Sequence, residues 1–250
     1  MTPFPRARSR RRRRAVSAVA LCAGLAVALT GCGEKADPDK GTNGVGKLSA
    51  EAIEAKARKA AEGADAVRLS GTLVSKGASY TIDMRLKDDG GSGSVTSKDS
   101  TFELLRIGDE LYMKADAGFW IHENDEDSES AAGKLDDKYV KVPSGDPVYQ
   151  QLRGFTDKDV LLDGILGLHG KLSKGDRAKV AGFRTIRITG GEKAQGGALD
   201  VSLDGVPYPL RFRRAGGAGE LQLTDWDTDF PLTAPSKAAT VDYGGELPKT

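Results

Sequence analysis

Residues able to do chemistry are few in this chain of 250 residues, and their surroundings say what that chemistry is. The two cysteines are Cys22 and Cys32, and the two histidines are His122 and His169. Cys32 closes the run Leu29-Thr30-Gly31-Cys32, a thiol behind a small residue. The histidines come with no Gly-x-Ser-x-Gly elbow, zinc-binding histidine pair or phosphate loop, so no enzyme is expected. Asp125, Asp127, Glu129 and Asp136 have the spacing of positions 1, 3, 5 and 12 of a calcium loop. Ser130 stands where that loop needs glycine, and the next helix starts too late. The segment therefore reads as a solvated charge run, with no metal and no cofactor.

The elements around Cys32 define its role. Seven arginines, from Arg6 to Arg14, precede any acidic residue. An uncharged stretch rich in Ala, Val and Leu follows, Ala15 to Gly31, and ends at the cysteine. A basic region, an apolar region and a small-residue cleavage site make a signal peptide over residues 1–31. The stretch is short and Ala-rich for a span of ~20 apolar residues. The four-residue run resembles the bacterial lipobox, which implies cleavage after Gly31 and diacylglycerol, with further acyl chains, on Cys32. Two or more chains hold a protein stably on a bilayer. The expected location is the extracytoplasmic face of the cell membrane. An ordinary signal peptide or an uncleaved anchor is the competing reading. The five-arginine run leaves the general and twin-arginine export routes both open.

Without the leader, all 36 Asp and Glu remain against 30 Lys and Arg (37 less 7), so the mature chain is acidic. That argues against nucleic acid as a partner. Cys32 is then the sole thiol, which excludes a disulfide within the mature chain.

Gly33 to Lys47 is polar and Gly-containing, and reads as a flexible tether, so that residues 32–47 carry the lipid and the spacer. The domain is expected over 48–250. Leu48 to Ala64 reads as a helix with Ser49 as N-cap and Gly63 as stop. The period then becomes two. Leu69, Gly71 and Leu73, then Tyr80 to Leu86, alternate apolar with polar, as half-buried antiparallel strands do. Further strands are expected around Val95, over 102–107 and over 111–114, with Gly108-Asp109 as a hairpin. Residues 139–143 form a brief extended piece. Asp157 to Leu168 reads as a second helix, apolar over most of its surface. Strands follow over 183–189, 199–203, 207–213 and 220–223. The class is α+β, with an antiparallel sheet that curls or closes.

Several segments carry a resemblance. They are Gly108-Asp109-Glu110-Leu111-Tyr112, then Phe119-Trp120, Gly182 to Ile188, Leu223 to Asp227, and Phe230 to Pro235. In their order and behind a lipobox, the chain resembles the LppX/LprAFG lipoproteins of actinobacteria, within the LolA/LolB-like superfamily. The resemblance covers about Leu48 to Val241. It implies a strongly curved antiparallel sheet, a half-barrel, wrapped over helices with an apolar cavity between. It also implies a role in holding lipids or glycolipids and moving them within the envelope. The central region departs from the family in its acidic loop and single strongly apolar helix, which points to a small cavity or to another ligand.

The candidate lining follows from the inner strand faces and the second helix. It comprises Ile82, Met84 and Leu86, then Leu104, Leu111 and Met113. Leu161, Leu162, Ile165 and Leu166 come from the helix. Val201, Leu203, Leu210 and Phe212 come from the later strands. An apolar ligand needs such a wall, and a filled core uses the same residue types. Phe119, Trp120 and Trp226 read as packing residues. Arg211, Arg213 and Arg214 form a basic patch that either meets lipid headgroups or pairs with nearby carboxylates. A lipid-carrying protein is thus expected, with an envelope module that binds a protein partner as the alternative. The sequence names no such partner.

Overall fold

The computed structural model describes residues 37–75, 77–98, 100–120 and 132–242. The expected signal peptide, Cys32, His122 and the acidic run 123–130 lie outside the described residues. From Pro38 onward the chain forms one unit.

Twelve strands make a single curved, unclosed sheet among the described residues. The first six are β1 (Ala66–Ser75), β2 (Ala78–Lys87), β3 (Gly90–Ser97), β4 (Ser100–Ile107), β5 (Glu110–Ala115) and β6 (Tyr139–Val142). They run as a meander, each pairing antiparallel with the next. The chain then crosses to the far edge and returns through β7 (Leu172–Val180), β8 (Phe183–Gly190), β9 (Ala198–Ser202), β10 (Pro209–Arg213) and β11 (Gly219–Thr224). There β11 pairs antiparallel with β1, so the two meanders meet at the centre. Finally β12 (Thr240–Asp242) pairs parallel with β6 at the opposite edge. The α+β half-barrel read from the sequence is the observed fold.

Alternation sorts the two faces. Leu69, Ile82, Met84, Leu86, Val95, Leu104, Leu111, Ile188, Leu199, Val201 and Leu223 all point into one buried cluster. Arg68, Asp83, Glu103, Lys114, Asp200 and Arg211 lie on the other face. Gly71 (φ 144°) and Gly93 (φ 157°) permit the bend: a Cβ there would lie 2.2 Å from the Glu220 carbonyl oxygen and 2.1 Å from that of Asp83. Only glycine adopts such backbone freely at so close an approach.

Three longer helices cover the inner face, and a single helical turn, Ala117–Trp120, lies against β4 and β5 with Trp120 buried. The first, α1 (Ala50–Glu62), is capped by Ser49, whose hydroxyl accepts from the Ala52 N–H, and buries Ile53, Ala57 and Ala61. It packs on β7 to β10. The second, α2 (Pro147–Thr156), packs on β2 to β4. The third, α3 (Lys158–Ile165), contacts both α1 and α2 at the seam of the two meanders. No helix among the described residues is long and apolar enough to cross a membrane.

Three features differ from the sequence reading. The composition predicts a free tether as far as Lys47, but Pro38 to Lys47 lies docked on the domain. Asn43 donates from its backbone to Leu203 O (2.8 Å) and from its side chain to Ser202 O and Gly205 O (3.0 Å each). Arg177 reaches Asp39 at 2.7 Å, and Val45 is buried. Polar side chains aimed at backbone groups hold this stretch, and Val45 is its one apolar cue. Second, β7 shows no alternation because it is an edge strand exposed on both faces; Lys174, Asp176, Arg177 and Lys179 blunt it against edge-to-edge pairing. Third, α2 precedes the expected helix. Its start is written as Asp146-Pro147: the Asp146 carboxylate accepts from the Val148 N–H at 2.8 Å, and proline takes the first turn.

Candidate functional site

The inner face is the candidate site, and its construction starts at the hinge between α2 and α3. No linker separates these helices. Arg106, buried on β4, donates to Thr156 O at 3.0 Å and Gly108 O at 2.8 Å, holding the C-terminal carbonyl end of α2. Lys158, only 3% exposed, reaches Asp88 at 2.6 Å and donates to Ala64 O. A buried ammonium needs such partners, since removing one costs about 3–5 kcal/mol. The start of α3 is thereby fixed to the sheet and to the end of α1.

At the other end of α3 the polar restraint is exposed, while Ile165 and Leu166 are buried in the core. A cleft of about 290 Å³ opens between α1 and α3, lined by Arg58, Ala61, Glu62, Asp159, Leu162, Asp163 and Leu166. Its floor is apolar, from Ala61, Leu162 and Leu166, all buried. Its rim is charged. Arg58 of α1 spans the rim to Asp163 of α3 at 2.7 Å, with the Asp163 side chain 79% exposed. An exposed pair of this kind is worth about 0–1 kcal/mol. Nothing lies within 4 Å of a Cβ built on Gly164 or Gly167, so the end of α3 is uncrowded there. One end of the helix is pinned and the other latched, above a greasy floor.

The sequence-derived lining residues converge on this interior. Ile82, Met84, Leu86, Leu104, Leu111, Met113, Leu162, Ile165, Leu166, Val201, Leu203 and Phe212 are buried members of one cluster. Leu161 packs against it, half-buried. Leu210 is buried outside the cluster. Only Leu162 and Leu166 of these line the cleft. The other cluster members are buried core, with Leu104 also bordering the hollow on the opposite face and Met84 and Met113 as the conformable members. The helix expected to bury most of its surface leaves Val160 59% exposed, because α3 lies on the domain surface and turns one face inward. Residues missed by sequence reasoning are Arg58, Ala61, Arg106 and Lys158. The charge pattern of α1 gave no cue that Arg58 faces another helix.

A larger hollow, about 620 Å³, lies on the outer face. The chain between β11 and β12 crosses β1 to β5 there as a strap, with Phe230 buried and Lys87 paired to Asp229 at 3.1 Å. Beneath it lie Arg68, Asp83, Arg85, Ser92, Ser94, Glu103 and Tyr139. Arg68 grips Asp83 through two hydrogen bonds of 2.9 and 2.7 Å. That grip holds the Asp83 carboxyl below its ordinary range. Farther along, Asp200, 2% exposed, takes Arg187 at 2.8 Å and Arg211 at 2.7 Å. The basic patch at Arg211 and Arg213 is thus matched by Asp200 and Glu220.

The aromatic residues pack as expected. Trp120 is 4% exposed and donates to Ala115 O, with Phe119 edge-on at 5.2 Å. Trp226 stacks on Tyr208 at 4.6 Å. Asp136, from the calcium-like spacing, accepts from the Ala117 N–H instead.

Comparison with known proteins agrees with this architecture. No protein-family model and no curated protein matches the chain. Among solved structures, LprF from Mycobacterium bovis is similar, with 15% identity, a TM-score of 0.51, and coverage of 75% of this chain and 97% of that one. The Mycobacterium tuberculosis lipoprotein LppX aligns at 16% identity and TM-score 0.39, over 73% of this chain and 99% of that one. An uncharacterized conserved protein from Thermus thermophilus aligns at 10% identity and TM-score 0.36, over 77% of this chain and 98% of that one. With its twelve-stranded unclosed sheet over a few helices, the described domain has the fold of the LprF-type lipoproteins.

Proposed function

We propose that this chain is a lipid-anchored envelope protein, held at Cys32 on the extracytoplasmic face of the membrane, that carries or presents an amphiphile. The acyl part of the ligand, a lipid or glycolipid, enters between α1 and α3, and its polar part stays at the charged rim. The observation that carries this reading is the cleft itself: an apolar floor above the core, under a helix pinned at Lys158 and latched by Arg58–Asp163. Release of the latch lets the end of α3 lift and exposes Leu162, Ile165 and Leu166 to an acyl chain. Burial of each CH₂ then contributes about 0.8 kcal/mol. In this reading the volume comes from that motion, since the described inner-wall residues are packed against one another. The signal peptide and lipobox support delivery to the membrane surface. No covalent step is proposed.

One observation favours the alternative of a partner-binding envelope module: the inner wall residues are packed against one another. Native mass spectrometry separates the two. After expression in an actinobacterial host, the carrier reading expects a co-purified lipid mass and exchange with a fluorescent fatty-acyl probe. A clean apo mass together with no probe exchange contradicts it. For the anchor, Cys32→Ser is expected to release the protein or leave an uncleaved precursor; a mature, membrane-bound mutant would overturn that part.

A further inference from the structure

The docked segment after Cys32 and two exposed apolar tips share one rim of the sheet. Phe183, at the β7–β8 hairpin, is 50% exposed, and Val206, in the β9–β10 connection, is 49% exposed. The Leu203 N–H donates to Arg184 O at 2.7 Å, and the Arg184 N–H donates to Asp204 at 2.8 Å, so the two turns adjoin. The segment from Pro38 to Asn43 is fastened to the same rim: Arg184 donates to Lys40 O at 3.2 Å and Asn43 to Gly205 O at 3.0 Å. Lys40 and Lys179 are exposed there, and Lys179 lies close enough to Asp204 to act on its carboxyl. Of the carboxylates near this rim, Asp39 and Asp204 are paired to Arg177 and Arg184, Asp227 accepts from the Tyr208 hydroxyl, and Asp37 is exposed beside Pro38.

We infer that this rim is a membrane-contacting tip, which lays Phe183 and Val206 into the interface of the anionic bilayer and Lys40 and Lys179 against its headgroups. The inference rests on Cys32 being the anchor. Six chain steps separate Cys32 from Pro38, which limits their distance to about 20 Å even at full extension. The domain is thus tied to the membrane by this rim. The other end of the strands, where Val74 is exposed, lies about 30 Å away along a ten-residue strand. Exposed apolar side chains flanked by lysines suit an acidic lipid surface, with each Lys near the headgroups worth about 1 kcal/mol. A soluble partner protein would not require them beside the tether.

The test supplies the anchor chemically, so that it stands apart from lipidation in cells. The chain from Cys32 onward, whose folded unit begins at Pro38, is coupled through its single thiol to a maleimide lipid in phosphatidylcholine–phosphatidylglycerol vesicles. Backbone hydrogen exchange is compared with that of the same chain blocked by a soluble maleimide. Exchange at residues 181–183 and 204–206 is expected to slow threefold or more, with residues 216–217 at the far end unchanged. The double variant Phe183→Ser, Val206→Ser is expected to lose that protection. Equal exchange with and without the bilayer, or equal slowing at both ends, overturns the inference. Protection that grows with protein density on the vesicle also overturns it, in favour of self-association. Absence of acyl groups on Cys32 in cells would instead remove the natural anchor.

Discussion

The two faces of this sheet each hold a hollow, and they differ in the opposite sense from their sizes. The outer hollow is about 620 Å³ and is walled by Arg68, Asp83, Arg85, Glu103 and two serines. The inner cleft is about 290 Å³ and rests on Ala61, Leu162 and Leu166. On the outer face Arg68 is paired to Asp83 and Glu103 lies near Lys114, with Arg85 beside Asp83, so most of these charges already have a neighbour of opposite sign. The inner cleft is closed by one exposed ion pair over apolar side chains. On the proposed reading, uptake of an amphiphile depends on a weak latch over a greasy floor rather than on open volume.

Breaking the comparison starts with its strongest electrostatic element. Asp200→Ala leaves Arg187 and Arg211 beside a vacated carboxylate site, and a loss of about 3–5 kcal/mol is expected in urea unfolding. Acyl-probe uptake measured below the transition is expected to stay unchanged, since Asp200 faces away from the cleft. Next comes Ala61→Phe, which fills the cleft floor. Overpacking costs about 1–3 kcal/mol, and probe uptake is expected to fall at least tenfold. An equal fall in Asp200→Ala would erase the distinction between the faces.

The latch should act on rate more than on stability. Arg58→Ala is expected to change unfolding free energy by less than about 1 kcal/mol while speeding probe exchange severalfold in stopped-flow fluorescence. The smallest effect concerns the strap. Burial, reinforced by a hydrogen bond to Asp227, pushes the Tyr208 phenol up to about 12. A group raised in the folded state contributes stability below its unfolded value, about 10 for tyrosine, which is lost as pH rises toward 12. Wild-type Tm is expected to drop more than that of Tyr208→Phe between those two values, with uptake at neutral pH alike in both.

Legibility in the sequence followed the same division. The inner face was readable because period-two apolar residues such as Ile82, Met84 and Leu86 declare a half-buried strand. Strand β7 was not, because an edge strand exposed on both sides has no alternation to show. The docking of Pro38 to Lys47 was hidden as well, since Asn43 and Arg177 act through backbone carbonyls and one distant carboxylate. Most of the proposed lining is buried in the core cluster, and the sequence could not separate wall from filling because the same residue types serve both. Arg58 and Asp163 lie far apart in sequence, and nothing local marks them as partners. The hinge at Thr156–Lys158 depends on Arg106 and Asp88, which only the fold brings near.

The central claim, that an acyl chain enters between α1 and α3, is tested most directly by photocrosslinking. A fatty acid carrying a terminal diazirine is bound to the purified domain, irradiated, and its adducts located by peptide mass spectrometry. The account expects adducts on α1 near Ala61, on α3 at Leu162 to Leu166, and on inner strand residues such as Met84 or Met113. Adducts confined to Arg68, Arg85, Tyr139 and the strap, or no saturable adduct at all, would contradict it.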